Sequence, residues 1–144
     1  MLSSISGVRA ELAPLYDLVC VSHLRWDFVY QRLQHLLSRC GRERRVFFVE
    51  EPIYVEVDLP YLQIRQVEAR LWIVVPHIPK DIDEGEIQMY QRKMLDSLFV
   101  NYAIRDYALW YYTPMALSFT DHLEPLAIVY DCMDELSSFR FAPQ

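Results

Sequence analysis

The chain has 144 residues, of which 53% are hydrophobic, 14% aromatic and 24% charged, and its formal net charge is −6. That length suits one domain or part of one, and the apolar share is sufficient for a core, which argues against disorder away from the ends. The acidic balance argues against a general nucleic-acid binder, because phosphate neutralisation needs a basic surface, although a local basic patch around Arg39 to Arg45 stays open.

The three cysteines, Cys20, Cys40 and Cys132, have neither an even count nor metal-ligand spacing. They read as reduced thiols, so a cytoplasmic location is expected. The first residues lack a basic segment followed by a continuous apolar stretch, so no signal peptide is expected, and no apolar run reaches transmembrane length. Peripheral contact with the inner face of a membrane stays open.

In chain order, residues 1–14 read as a flexible leader and 15–144 as the folded unit. "YDLVCVS" is a short strand with β-branched Val19 and Val21. It runs into "SHLRWDFVYQRLQHLLSR", where nucleotide-binding α/β proteins often carry glycines. From Val29, the residues Val29, Leu33, Leu36, Leu37 and Cys40 recur at helical spacing and predict one apolar helix face. Asp27 is a candidate N-cap and Gly41 a candidate stop. "RRVFFVEEP" is apolar on both faces, as in strands covered from both sides.

A less regular section leads to "YLQIRQVEARLWIVVPHIP", which predicts a strand pair or a bent strand, stopped by Pro76 and Pro79. Asp83 followed by Glu86 is a capping-box pattern. It opens a long helix with Ile87, Tyr90, Met94, Leu98 and Tyr102 on one face. "ALWYYT" is a strand, Thr113-Pro114 starts a short helix, "LAIVYD" is a further strand, and "DELSSF" begins a helical segment. This alternation predicts an α/β fold: a Rossmann-like, mostly parallel sheet with helices on both faces.

In such a sheet, ligands bind at the carboxyl ends of the strands. The polar residues expected there are His23, Arg25 and Asp27 after the first strand, Glu50 and Glu51 after the second, His77 after "LWIVV", and Asp131 and Asp134 after "LAIVY". Arg25 and Arg32 beside a helix N-terminus suit a diphosphate or carboxylate; the alternative is that Arg25 pairs with Asp27 and Arg32 is solvated. His23 suits a general base, or is a hydrogen-bonded structural histidine. Asp131 and Asp134 suit sugar hydroxyls or proton transfer, or Asp134 caps a helix. Trp26 and Phe28 stack on a sugar or belong to the core. A dinucleotide fingerprint, a Walker loop, a nucleophile elbow and a metal-ligand cluster are all lacking from the sequence.

The blocks "DLVCVSHLRWDFVYQRLQHLLSR", "RRVFFVEEP", "LWYYTPMA" and "VYDCMDELSSF" together resemble the N-terminal part of bacterial GT-B fold glycosyltransferases of the large retaining family four, similar to the TuaH-like group. The chain departs from that group at Leu33, within Arg32-Leu33-Gln34-His35, where the group has proline.

The resemblance implies an acceptor-side Rossmann-like domain that works with a C-terminal donor-binding domain absent from these residues. The acceptor would be a glycan or lipid-linked sugar. The nucleotide sugar would be a co-substrate, with no resident cofactor and no metal. His23 and Asp131 would serve catalysis, and Arg25, Asp27, Arg32, His77 and Asp134 would bind substrate. Alone, such a portion is expected to be inactive. A non-catalytic interaction module is the rival reading. Some relatives carry the label UDP-galactopyranose mutase, but flavin chemistry needs a glycine-rich fingerprint that this sequence lacks.

Overall fold

A computed structural model describes residues 16–28, 31–112 and 117–130. Residues 1–15, 29–30, 113–116 and 131–144 lie outside it, and with them the predicted leader, the Thr113-Pro114 helix start, Asp131, Asp134 and the "DELSSF" segment.

The described elements are β1 (Asp17–Val21), a 3-10 turn (Trp26–Phe28), α1 (Gln31–Cys40), β2 (Val46–Val49), β3 (Ile53–Val55), β4 (Tyr61–Glu68) and β5 (Leu71–Pro79). They continue with α2 (Glu84–Asn101), β6 (Tyr107–Tyr111), α3 (Leu117–Thr120) and β7 (Ala127–Tyr130). The strands form one seven-stranded sheet in the order β3-β5-β2-β1-β6-β7, with β4 on β5. Every pairing is parallel except that of β4 with β5. The fold is therefore α/β with a mostly parallel sheet, as the alternation of patterns predicts.

Strand alternation sends two apolar sets to opposite faces. Leu18, Cys20, Val46, Phe48, Ile73 and Trp110 meet Leu33 and Leu37 of α1 on one face. Val19, Val21, Phe47, Val49, Val74 and Leu109 meet Leu95 and Leu98 of α2 on the other. β1, β2 and β6 are buried on both sides, which explains their continuous apolar sequence. β7 differs: all four of its residues are exposed.

The helices follow their patterns with local differences. Leu36 is exposed rather than part of the α1 seam. α2 buries Gln91, Met94, Leu95 and Leu98, while Ile87 and Tyr90 are only half-buried, so its seam is rotated from the predicted one. Asp83 is the N-cap of α2, its carboxylate accepting from Glu86 N–H at 2.8 Å. Asp27 does not cap α1, since it lies in the 3-10 turn ahead of Gln31.

The "YLQIRQVEARLWIVVPHIP" stretch is a hairpin, and β5 continues through Pro76 to Pro79. The register explains why proline is tolerated. Val74 O accepts from Glu50 N, so every second residue from Val74, including Pro76, directs its main-chain groups to the β2/β3 flank. β2 pairs with β5 as far as Val74, and β3 begins at His77. Pro76 falls in the gap, where no N–H is needed.

At the opposite end of the sheet, Arg45 forks onto Asp17 at 2.9 and 2.6 Å and donates to Tyr102 O at 2.7 Å. The start of β1, the approach to β2 and the end of α2 are thereby tied by one planar cation. Just past α2, Ala103 has φ 53°, and Ile104 N–H returns to Phe99 O at 2.8 Å. This is a Schellman-type stop with alanine where glycine is unstrained. Ala103→Gly is expected to stabilise the protein by about 1 kcal/mol, read as a raised urea midpoint with an unchanged slope. An unchanged or lowered midpoint would contradict the strain.

Two β6 tyrosines hold the segment around α3. The Tyr111 hydroxyl meets Thr120 Oγ1 at 2.5 Å, and the Tyr107 hydroxyl accepts from Glu124 N–H at 2.9 Å. Burial pushes both hydroxyls above the ordinary tyrosine range. A folded-state pKa above the unfolded value gives stability that is present below about pH 10 and lost as pH rises through the folded value. The melting temperature is expected to fall as the pH rises above about 10, and the fall should shrink in the Tyr111→Phe variant.

Candidate functional site

The parallel strands end on one edge, and the chain turns in opposite directions there. β1 leads to α1 on one face, while α3, which follows β6, packs with α2 on the other. β1 and β6 are neighbours. Their carboxyl ends mark the topological switch point of the sheet, the place where open α/β sheets form a ligand crevice.

His23 stands at that switch point. Ser22, buried at the end of β1, accepts Leu24 N–H on its hydroxyl at 2.9 Å, a local turn that fixes the exit from the strand. The His23 ring lies nearly parallel to Tyr112, just past β6, with ring centroids 6.3 Å apart and planes 18° apart. Its Nδ1 is buried and has no hydrogen-bond partner among the described residues. A buried imidazole nitrogen in this state keeps a hydrogen-bonding capacity that a ligand hydroxyl would satisfy once neighbouring side chains moved to admit it.

The following turn is pinned by Glu50, a buried carboxylate at the end of β2. Its Oε2 accepts from the Trp26 backbone N–H at 2.6 Å, and its Oε1 lies 3.4 Å from Arg25. Arg25 also donates to Glu51 O and, at 3.1 Å, to Pro52 O, and its guanidinium is 3.7 Å from the Glu51 carboxylate. The Gln34 side chain reaches back from α1 to Trp26 O at 2.6 Å. Trp26 is core, set edge-to-face on Phe48 at 5.2 Å.

Of the residues singled out by sequence, Arg25 faces the β2–β3 junction, where carboxylates and carbonyls of the protein surround it. Asp27 is exposed and pairs with Arg65 of β4 at 3.5 Å, not with Arg25. Arg32 lies on the exposed side of α1. His77 lies within β5 rather than after it, buried, with Nδ1 3.1 Å from Val75 O. Register puts His77, Ile53 and Tyr61 in one row across three strands, on the face that α1 covers. Arg25, Asp27 and His77 thus share one end and one face of the sheet, while His23 lies at the switch point beside β6. Asp131 and Asp134 lie outside the described residues.

Sequence reading missed Tyr61, Gln34 and Tyr112, and gave Glu50 no role. A glutamate that ends an all-apolar strand was the available signal for Glu50, because a buried charge requires a partner. Nothing local marks the other three.

No helix among the described residues is long and apolar enough to cross a membrane. Among them, too, no group of three His, Cys, Asp or Glu side chains is placed to hold a metal ion. No family model, curated protein or solved structure matches the chain.

Removing the Glu50 carboxylate would strand the buried Trp26 N–H and release Arg25. Glu50→Ala is expected to cost about 2–4 kcal/mol in chemical denaturation, with Glu50→Gln costing less because it retains an acceptor. Equal, small losses in both variants would show that the turn is held by other contacts.

Proposed function

We propose that this chain supplies the acceptor-side Rossmann-like domain of a glycosyltransferase, a second domain holding the nucleotide-sugar donor. The observation that carries the reading is the His23 imidazole at the switch point, with a buried Nδ1 that has no hydrogen-bond partner among the described residues. An acceptor hydroxyl entering beside Tyr112 would satisfy that nitrogen. With the hydroxyl so oriented, the imidazole would receive its proton as the acceptor oxygen bonds to the sugar and the sugar–phosphate bond of the donor breaks, the electron pair leaving with the nucleotide phosphate. Asp131 and Asp134 follow β7 in sequence and are the proposed further partners for acceptor hydroxyls.

Arg25 takes a positioning role in this reading. With Glu50 and Glu51 beside it, it presents less net positive charge than a diphosphate site requires. Donor phosphates then belong to the second domain, and the acceptor is a hydroxyl-rich glycan or lipid-linked sugar handled in the cytoplasm or at the inner face of a membrane. The four sequence blocks that resemble GT-B enzymes support the same division.

Titration calorimetry of the chain with oligosaccharides and with UDP-sugars checks the division. Weak saccharide binding without measurable UDP-sugar binding is expected, and His23→Ala should weaken the saccharide about 3- to 10-fold while leaving the fold intact. Tight UDP-sugar binding, or saccharide binding indifferent to His23, would contradict the reading.

A further inference from the structure

The β4–β5 hairpin carries an aromatic feature separate from the switch point. Tyr61 opens β4 directly opposite His77, and their rings stack with centroids 4.6 Å apart and planes 13° apart. His77 is itself immobilised: it is buried, Ile53 flanks it across β5, and its Nδ1 contacts Val75 O. A carbonyl can only accept, so Nδ1 carries the proton in that contact and the ring orientation is fixed. Tyr61 nevertheless remains 46% exposed. Its ring is thus held in one orientation by a buried neighbour while a large part of it stays in water. Little rotamer entropy remains to be lost when a ligand lies on such a surface.

The next residues of β4 on the same face are Gln63 and Arg65, both exposed, and Arg65 is held by Asp27. An amide and then a guanidinium with its paired carboxylate therefore follow the aromatic ring along the same face of β4. The cations around this edge are matched: Arg25 by Glu50 and Glu51, Arg65 by Asp27, and Lys80 by Glu56. Matched charges give little attraction for phosphate but leave many donors and acceptors for neutral hydroxyls.

We infer that Tyr61, backed by His77, is a stacking platform for a pyranose ring, with Gln63 and the Asp27–Arg65 pair taking its hydroxyls. The C–H face of the sugar meets the negative face of the phenol ring, and the hydroxyls around its rim meet the bordering polar groups. The choice of a sugar rests on the acceptor-side reading; the platform itself is a matter of the Tyr61 geometry. It would hold a sugar unit of the acceptor away from the reacting hydroxyl.

The test is saturation-transfer NMR on the 144-residue chain with maltotriose, cellotriose and chitotriose as probes, and with uridine monophosphate as the nucleobase comparison. At least one saccharide is expected to receive saturation at its ring C–H groups and to shift the Tyr61 ring signals. Tyr61→Ala should weaken that saccharide about tenfold or more, whereas Tyr61→Trp should retain it, both with unchanged circular dichroism. Saccharide binding that ignores Tyr61→Ala but responds to His23→Ala would overturn the platform and leave the acceptor-side reading standing. Saccharide binding at Tyr61 combined with tight UDP-sugar binding would overturn that reading and leave the platform. Uridine monophosphate on Tyr61 in place of sugars, or no saccharide contact at all, would overturn the platform.

Discussion

One buried carboxylate sets the geometry of the carboxyl edge of the sheet. Glu50 ends an apolar strand and has left water, so it must be compensated within the protein. It takes the Trp26 backbone N–H and the Arg25 guanidinium. Those two contacts bring the turn after β1 down onto β2. Trp26 then seals the core against Phe48, and Gln34 fixes the start of α1 to the same turn. Arg25 continues to Glu51 O and Pro52 O, which secures the bend where β2 stops and β3 begins.

The break between β2 and β3 has consequences along β5. It gives Pro76 a place in a long strand without an unmatched partner, so β5 runs on to Pro79. His77 is carried beyond the end of β2, onto the row that holds Ile53 and Tyr61. The carboxyl edge therefore has two separate features: the pairing of His23 with Tyr112 where the chain reverses direction, and the ledge of Tyr61 on His77. Between them lies a turn whose charges are paired internally. The proposed preference for hydroxyl-bearing ligands over phosphates rests on that internal pairing.

Much of the fold was legible in the sequence, because burial on both faces leaves a continuous apolar signature in β1, β2 and β6 and the Asp83–Glu86 pattern marks α2. What escaped depends on register or on distant partners. β3 is three residues long and follows a proline, too short for any periodicity. The strand beyond Pro76 becomes readable only when it is known which flank needs an N–H. Arg25 sits where a phosphate ligand is chemically reasonable, but Glu50, 25 residues away, reaches it first. Tyr61 gains meaning only from its pairing with His77, and Leu36, which shares the helical spacing of Leu33 and Leu37, is left outside the seam.

Hydrogen–deuterium exchange of the chain, with and without a saturating saccharide and separately with a UDP-sugar, bears most directly on the acceptor-side assignment. Saccharide-dependent protection that includes residues 22–28 and 61–66, with no change on adding UDP-sugar, is the expected result. Protection of the same edge by UDP-sugar alone would contradict it.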